Sequence, residues 1–492
     1  MNTSKRILSL LLALLMAMSL LFTAVSCGET VENPADSENQ DDSAAGTVAE
    51  TETESPYAQL EKEKYNREFT ILIRDDCIED FIVSGMTGDL LADSLYERNT
   101  VVSEDYGVEF VYRYQGFGYT NVNEALKQQV SGGLDDYDLF IGHKYSYTNL
   151  AMNNYLYDMG KITSMDLTNP WWDQACYNNL TVAGKTYVMT GDINPSSSMR
   201  ISSCMVINKD MMTELSKSVD ELNNLTEDGG WTLDVLSQYT KDVTFDLNGD
   251  SKLNYKNDRY CLTGWMMAAP YALYYGSNSN FVSVVDGVPE LTYTDDKVTS
   301  IYEKIYGIVV EQNAYYVTQE SEYATMFEVF SEGRALFSVL TLKLISQYLS
   351  EMEDSYGILP IPKYDTNQKE YMSFVNGSTG LVMLAKTEAN PDFVGAIMEA
   401  MGAYNYEHVT PNMFQVVTKL QVAQDPASAR MVDLVIRNRV FDLGYYADLD
   451  VTNLVKNQLN GKRPEIASLL RSGRNAAKRN LEKLLQNVDK FD

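Results

Sequence analysis

The 492-residue sequence contains few histidines and cysteines and is short of positive charge. It has 2 His and 5 Cys, and the two histidines, His143 and His408, lie far apart along the chain. This scarcity argues against a metal centre built from several histidines. Lys and Arg number 39 against 69 Asp and Glu, which gives a formal net charge of −30. Such a chain repels phosphate backbones, so we expect no nucleic-acid partner.

The overall composition is that of a globular protein. Hydrophobic residues make up 45% of the chain and charged residues 22%, which is close to the average for soluble domains. A disordered chain, a collagen and a polytopic membrane protein are therefore excluded. At roughly 100–200 residues per domain, the length indicates several compact units.

The first 26 residues have the pattern of an export signal. Lys5 and Arg6 precede an apolar stretch over residues 7–25, and small residues lead up to Cys27. The alternative is a transmembrane anchor, because the stretch is nearly long enough to span a bilayer. Ala24-Val25-Ser26-Cys27 resembles the processing box of bacterial lipoproteins. This resemblance implies that Cys27 is lipidated and holds the protein on the outer face of the cell membrane.

Residues 27–66 are predicted to form a disordered, acidic tether. Between Gly28 and Ser55 there are many Asp and Glu but no Lys or Arg. The few apolar side chains cannot offset the entropy of ordering this segment. The segment therefore serves as a leash for the folded body or, alternatively, as a nonspecific solubilising tail.

Four further cysteines lie in the body of the chain, at Cys77, Cys176, Cys204 and Cys261. Their spacing matches no metal motif, and an exported chain is able to form disulfides. A body of this size does not need them for stability. We therefore favour buried free thiols and keep disulfides as the alternative.

From Arg67 onward, strand and helix patterns alternate, which predicts an α/β fold with a largely parallel sheet. Ligands on such sheets bind at the carboxyl ends of the strands. The first and third strands end at Arg74-Asp75-Asp76 and at residues 142–145. Strands are predicted at 69–74, 108–114, 137–142, 356–360 and 380–384. Residues 205–210 are predicted to form a strand that runs into a helix, and residues 331–338 a turn and a strand. Helices are predicted at 89–106, 121–130, 232–240, 301–311, 390–401 and 464–488.

Several sequence blocks occur together in a recognisable order and spacing. They are Tyr137–Ile141, Leu156–Met159, Asn169–Trp172, Leu180–Tyr187, Phe330–Phe337 and Gly357–Lys363. The combination is similar to that of extracellular solute-binding lipoproteins of bacterial ABC importers, in the maltose-binding-like class.

The resemblance implies a periplasmic-binding-protein-like type II fold, in which hinge strands join two α/β lobes around a ligand cleft. The implied lobes are residues 67–200 plus 338–386 and residues 201–337 plus 387–492. The implied crossings between them lie near 192–201, 335–341 and 386–391. The implied function is to capture a carbohydrate, in particular an oligosaccharide, and to deliver it to the transmembrane subunits of an ABC permease. We expect a monomer without enzymatic activity.

Candidate ligand-binding residues are aromatic and polar side chains near the predicted cleft. Aromatic rings stack on the C–H faces of sugars, and polar side chains bond the hydroxyl groups. For any single aromatic residue, core packing is the alternative, and for the glycine-rich segment around Asn376 the alternative is a simple turn. The candidates are Asp75, His143, Lys144, Tyr145, Asp192, Asn194, Trp265, Tyr271 and Asn376.

The segment from Asp246 to Asp258 resembles a calcium loop. The side chains of Asp246, Asn248, Asp250, Asn254 and Asp258, together with the carbonyl of Lys252, are the candidate ligands. Asn257 and Ser251 depart from the usual acid and glycine of such loops. The alternative is an Asp/Asn turn whose side chains bond the local backbone. No cofactor other than this structural calcium is expected.

Two other functions remain open from the sequence alone. A surface glycosidase would need two carboxylates at a fixed separation across a cleft, and with 69 acidic residues such a pair is not excluded. A binding protein that senses its ligand rather than transporting it would have the same sequence features.

Overall fold

The computed structural model describes residues 55–114, 116–145, 147–415 and 426–491. The predicted signal, Cys27 and residues 27–54 of the predicted tether lie outside these ranges. Residues 55–66 were predicted to belong to the same disordered tether, but here they pack on the folded body: Tyr57 is buried and donates to Asp105 at 2.9 Å. In the described part of the chain, no helix is both long enough and apolar enough to span a membrane.

Thirteen strands are present in the described residues. In chain order they are β1 Arg67–Ile73, β2 Val108–Arg113, β3 Leu139–Gly142, β4 Ser203–Asn208, β5 Tyr260–Trp265, β6 Val282–Val285, β7 Val288–Leu291, β8 Tyr315–Val317, β9 Ala335–Thr341, β10 Tyr356–Leu359, β11 Ser373–Phe374, β12 Leu381–Met383 and β13 Arg439–Val440.

Helices connect these strands and cover the sheets. The α-helices are Leu90–Tyr106, Asn121–Gly132, Tyr147–Met152, Gln174–Leu180, Pro195–Ser198, Lys209–Glu214, Val219–Glu227, Leu233–Thr240, Ala269–Gly276, Asp295–Tyr306, Thr325–Ser331, Leu342–Tyr348, Pro391–Tyr404, Pro426–Arg437, Leu443–Tyr446, Leu454–Asn460 and Ala467–Asp489. Short 3-10 helices are Asp75–Asp80, Met159–Lys161, Glu320–Glu322 and Asp450–Asn453, and π-helical turns are Gly307–Glu311 and Asn405–Val409.

The first lobe is built on a four-stranded sheet with the order β12-β3-β1-β2. Strand β1 pairs in parallel with β2 and β3, whereas β12 runs antiparallel to β3. Ile71, Leu72 and Ile73 of β1 are fully buried, as expected for a central strand covered on both faces. The predicted strands and helices of this lobe are confirmed to within a few residues.

The helix Leu90–Tyr106 shows how the local sequence sets the ends of an element. Asp89 accepts a hydrogen bond from the backbone N–H of Ala92 at 2.8 Å, which caps the first turn. The helix ends at Gly107, whose φ of +62° favours glycine. A side chain there would also meet the Asn66 amide oxygen at 3.1 Å.

The second lobe is built on a five-stranded mixed sheet with the order β10-β4-β9-β5-β8. Strand β9 lies at its centre, antiparallel to β4 and parallel to β5, and all seven of its residues are buried. One face of this sheet contributes to a core that continues into the first lobe. The other face forms a separate apolar cluster that includes Cys204, Phe330 and Val432.

The predicted division at 337/338 differs from this arrangement. Residues 335–341 form one unbroken central strand of the second sheet, and β10 pairs with β4 in the same sheet. Residues 338–359 therefore pack with the second lobe, although they were predicted in the first. Ala335–Thr341 is likewise a strand within one sheet and not a crossing, because it has bonded strands on both sides.

The helix Pro391–Tyr404 also differs from the predicted division, because it packs on the first lobe. The Phe393 ring lies 5.6 Å from the ring of Phe69 on β1. The helix Ala467–Asp489 touches both lobes. Arg474 on this helix bonds Asp295 at 2.8 Å, and the Lys185 ammonium donates to the carbonyl of Val488 at 3.0 Å.

The four cysteines of the described chain, Cys77, Cys176, Cys204 and Cys261, are buried free thiols. The prediction that these cysteines are buried free thiols is therefore confirmed. Burial raises the pKa of the Cys261 thiol to about 11, so this thiol stays protonated.

A buried carboxylate fixes the helix Pro391–Tyr404 against the loop that carries two tryptophans. The indole N–H groups of Trp171 and Trp172 both donate to Glu399, at 2.7 and 2.8 Å, and the backbone N–H of Asp166 donates to it at 2.9 Å. Removing this acceptor would leave buried donors unsatisfied, which costs far more than losing an exposed hydrogen bond.

We therefore expect Glu399→Ala to lower the free energy of unfolding by about 3 kcal/mol. The matched variant Glu399→Gln keeps one acceptor oxygen and should lose less. Denaturant titration of the three proteins measures the difference. Equal stability of Glu399→Ala and the wild type would show that this carboxylate does not hold the helix.

Candidate functional site

The carboxyl ends of β1 and β3 meet at one edge of the first sheet, where a buried arginine joins them. The Arg74 guanidinium donates to the carbonyls of Gly142 at 2.8 Å and Thr379 at 3.3 Å. It also bonds the carbonyl of Ser378 and the carboxylate of Asp76. These contacts fix the ends of β1 and β3 relative to the segment that precedes β12.

Two exposed tyrosines project from this edge of the first lobe. Tyr119 is 51% exposed and Tyr145 is 42% exposed. The His143 ring lies between them, with ring centroids 5.2 Å from Tyr119 and 4.3 Å from Tyr145. Exposed aromatic rings held by a packed neighbour are suited to stacking against a ligand.

Two aromatic residues of the second lobe complete the arrangement. Trp265 ends β5, and its ring meets that of Tyr323 edge to face at 4.9 Å. Burial raises the pKa of Tyr323, as do the nearby phenols of Tyr348 and Tyr119. Tyr119 of the first lobe is therefore within electrostatic range of Tyr323 of the second. We call the space bordered by Tyr119, Tyr145, Trp265 and Tyr323 the aromatic cleft.

Charged groups also border the aromatic cleft from both lobes. The pKa of Tyr145 is raised first by burial and then by the charges of Asp448 and Glu320. Lys343 of the second lobe donates to the carbonyl of Asp76 at 2.8 Å and pairs with Glu79 at 2.7 Å. The two lobes are therefore linked by polar contacts at the base of the cleft.

The predicted residues His143 and Lys144 are buried and support the cleft from below. Burial first, and then the charges of Arg74 and Lys144, lower the pKa of His143 to about 2, so its ring is neutral. Its Nδ1 accepts the backbone N–H of Tyr145 at 3.0 Å. The Lys144 ammonium pairs with Asp448 and donates to the carbonyl of Tyr445 at 3.0 Å.

The glycine-rich segment around Asn376 approaches a lysine side chain closely. A side chain at Gly377 would lie 2.6 Å from Cδ of Lys144. The Asn376 side chain accepts the backbone N–H of Ser378 at 2.8 Å, which is the bond of a local turn. Glycine here therefore makes room for Lys144.

The remaining predicted residues are spread over different surroundings. Asp75 is exposed beside the cleft, and its backbone N–H donates to Phe117. Asn194 is buried and donates to the carbonyl of Gly380 at 2.8 Å. Tyr271 is buried away from solvent and donates to Asn453 at 2.7 Å.

Asp192 lines a different cavity, which we call the Asp192 pocket. This cavity of about 620 Å³ is bordered by residues from both lobes and by none of the four rings of the aromatic cleft. Asp192 is only 3% exposed, and the Thr410 hydroxyl donates to its carboxylate. The aromatic cleft, and not the Asp192 pocket, is where the ends of the strands converge, which is the position expected for the main ligand of an α/β protein.

Sequence reasoning missed Tyr119, Tyr323 and Lys343. Tyr119 follows the end of β2 in the glycine-flanked run Gly116-Phe117-Gly118-Tyr119, so the rule that ligands bind at strand ends would have identified it. Tyr323 follows β8, whose three residues, Tyr315–Val317, are too few to give a strand pattern. Lys343 follows β9, which was interpreted as a crossing.

The predicted calcium loop is ordered by its own hydrogen bonds. The Asp246 carboxylate accepts the backbone N–H groups of Gly249 at 2.8 Å and Ser251 at 2.6 Å, and Asp258 accepts those of Leu247 and Asn254. Among the described residues, no group of three or more His, Cys, Asp and Glu side chains is placed to hold a metal ion. These bonds are those of an Asp/Asn turn, and calcium binding stays a prediction.

The Asp192 carboxyl makes the stability of the fold depend on pH. Burial raises its pKa to about 7, well above that of an unfolded aspartate. The folded protein therefore binds this proton more tightly, and its stabilising effect is lost as the pH rises from about 4 through about 7. The loss is at most about 4 kcal/mol.

We expect this part of the pH dependence to disappear in Asp192→Asn. The free energy of unfolding of the wild type, measured by denaturant titration across that range, should fall relative to that of the variant. At higher pH, the difference between the free energies of unfolding of the two proteins should stay constant. Parallel curves for the two proteins would mean that Asp192 is already charged in the folded protein below pH 7.

Solved structures of binding proteins share this architecture. An ABC substrate-binding protein of Listeria monocytogenes, in complex with cycloalternan, superposes with a TM-score of 0.53 at 13% identity, over 85% of this chain and 99% of its own. A cyclo/maltodextrin-binding protein complexed with maltotetraose gives 0.52 at 13% identity, over 86% and 96%. A solute-binding protein of Thermotoga lettingae bound with α-D-tagatose gives 0.52 at 13% identity, over 85% and 100%.

No family model and no curated protein matches the sequence. Identity of 13% supports a conclusion about the fold alone. Together with the two mixed sheets and the cleft between them, the superpositions confirm the predicted fold class. The chain has the two-lobed α/β fold of periplasmic-binding-protein-like substrate-binding proteins.

Proposed function

We propose that the aromatic cleft binds an uncharged carbohydrate and that the chain is the extracellular substrate-binding subunit of an ABC importer. The single observation that carries this proposal is the set of four aromatic side chains, two on each lobe, around one cleft. Rings on both sides can stack on the C–H faces of one sugar chain, while polar groups beside them bond its hydroxyls.

The pairing of charges at the cleft favours a neutral ligand. Arg74 is paired with Asp76, Lys144 with Asp448, and Lys343 with Glu79. Each of these cations already has a carboxylate partner, so none needs an anionic ligand to balance it. An amino acid or a phosphate ester would have to displace such a partner, whereas a sugar hydroxyl can bond to the paired groups as they are.

The same pairing argues against a glycosidase. Hydrolysis of a glycosidic bond needs one carboxyl group that donates a proton and a second carboxylate at a fixed distance. Asp76 and Asp448 are each engaged by a buried cation, Arg74 and Lys144, so neither carboxylate is free to act in such a pair. The solved neighbours named above are likewise binding proteins. We therefore propose binding without chemistry.

The proposed mechanism is a shift between open and closed arrangements of the lobes. A ligand that contacts rings on both lobes stabilises the closed arrangement by the difference in its affinity for the two states. The closed form then docks on the transmembrane subunits of a permease. Lipidation at Cys27 would hold the protein near those subunits, on the outer face of the membrane.

We expect maltotetraose, cycloalternan or another glycan to bind in calorimetry, and Trp265→Ala to weaken that binding by about 1–3 kcal/mol. Tyr145→Ala should weaken it by a similar amount from the opposite lobe. Phe245→Ala is the matched control, because Phe245 is 62% exposed and lies outside the cleft. The panel includes tagatose, amino acids and short peptides.

Three results would contradict the proposal. If an amino acid or a peptide binds and no glycan does, the fold assignment stands but the proposed ligand class is wrong. Wild-type glycan affinity in both cleft variants would place the ligand elsewhere. If chromatography shows that a bound glycan is cut into shorter sugars during incubation, the protein is an enzyme.

A further inference from the structure

The Asp192 pocket has aromatic walls. Trp171, Tyr406 and Phe414 border it, and the ring centroids of Trp171 and Tyr406 are 6.5 Å apart. Tyr406, Thr410 and Phe414 follow at intervals of four residues, and this spacing places them on one face of the helical segment that carries them. The pocket thus has apolar, π-rich surfaces on two of its sides.

The charges around the Asp192 pocket do not balance. Arg439 pairs with Asp173 at 2.6 Å, so these two charges cancel. Among the described residues, the Asp192 carboxylate has the Thr410 hydroxyl as its side-chain partner and forms no ion pair. In the part of the chain that the structure describes, this buried carboxylate therefore faces the cavity without a counter-ion of its own. A buried charge of this kind is costly unless a cation offsets it.

We propose that the Asp192 pocket binds an organic ammonium ion that carries an apolar group. The Asp192 carboxylate supplies the counter-charge, and the faces of Trp171, Tyr406 and Phe414 supply the cation–π and apolar contacts. Aromatic rings beside a carboxylate are the arrangement that selects alkylated ammonium groups over neutral molecules of the same shape. The site is separate from the aromatic cleft and is not needed for the proposed carbohydrate binding.

The position of the pocket gives an occupant access to both lobes. Gly191 and Asp192 lie at the start of the first crossing, and Met199 at its end also borders the cavity. A side chain at Gly191 would lie 2.3 Å from the carbonyl of Trp171, so the wall is closely packed there. A bound cation therefore contacts the segment predicted to be the first crossing between the lobes.

The proposal predicts a pH dependence of a definite sign. The groups that act on Asp192 are the Thr410 hydroxyl and the charges of Arg439 and Asp173, in addition to burial, which raises the pKa of Asp192 to about 7. A cation binds the ionised carboxylate. Its affinity should therefore rise as the pH increases from about 6 to about 8.

The experiment is calorimetry of the full-length protein with choline and with benzyltrimethylammonium. The control ligand is the neutral isostere of choline, in which carbon replaces the quaternary nitrogen. We expect both cations to bind at about pH 8 and the isostere to bind about tenfold more weakly or not at all. Asp192→Asn should lower the affinity for both cations by about tenfold or more.

A second pair of variants keeps the test decisive if Asp192→Asn fails to fold. Tyr406→Phe retains the ring and should keep the affinity for both cations, whereas Tyr406→Ala should weaken it. Phe245→Ala, at an exposed ring outside the pocket, is the control. Equal affinities for choline and its isostere would overturn the proposal. So would wild-type affinity in Asp192→Asn and Tyr406→Ala, or the absence of binding at millimolar cation. Binding of a glycan at this pocket instead, lost in Tyr406→Ala, would also overturn it.

Discussion

The buried guanidinium of Arg74 holds together the edge of the first sheet on which the aromatic cleft depends. Its donors join the end of β1 to the carbonyls of Gly142 after β3 and Thr379 before β12. Without this side chain those carbonyls would lose a buried partner, and the loops that carry Tyr119 and Tyr145 would lose their common support. The cost of burying Arg74 is offset by these bonds and by its ion pair with Asp76. The positions of the Tyr119 and Tyr145 rings therefore depend on the hydrogen bonds that the buried Arg74 guanidinium makes.

The paired charges around the aromatic cleft favour the neutral ligand that is proposed for it. The cations that border it each have a carboxylate partner, so the cleft offers many hydrogen-bonding groups with little net charge. The Asp192 pocket is the opposite case, because its carboxylate has no cationic partner among the described residues. The two sites thus differ in whether the ligand proposed for them is neutral or cationic. This difference, rather than their size, separates the two ligand classes proposed for them.

The fold was largely predictable from the sequence, because the patterns that specify it are local. Strands β1, β2 and β3 are short apolar runs that alternate with helices, and Asp89 and Gly107 mark the ends of one helix. The errors lie where pairing between strands that are distant in the sequence determines the structure. Nothing within Ala335–Thr341 reveals that it has bonded neighbours on both sides, so it was predicted to be a crossing. The three residues of β8 are too few for a pattern, and the site residue Tyr323 that follows them was missed with it.

The candidate site was less predictable, because ligand contact depends on which side chains remain exposed. Tyr145 and Trp265 were predicted and do border the cleft, whereas Lys144 and Tyr271 of the same segments are buried as supports. The most direct test of the account is whether a bound sugar draws the lobes together. Spin labels at two exposed positions would report the separation by pulsed electron paramagnetic resonance. They are Gln128→Cys on the helix Asn121–Gly132 of the first lobe and Lys241→Cys after the helix Leu233–Thr240 of the second. A bound glycan should shorten and narrow the distance distribution, and Trp265→Ala should reduce this response. An unchanged distribution at saturating glycan would contradict binding between the lobes.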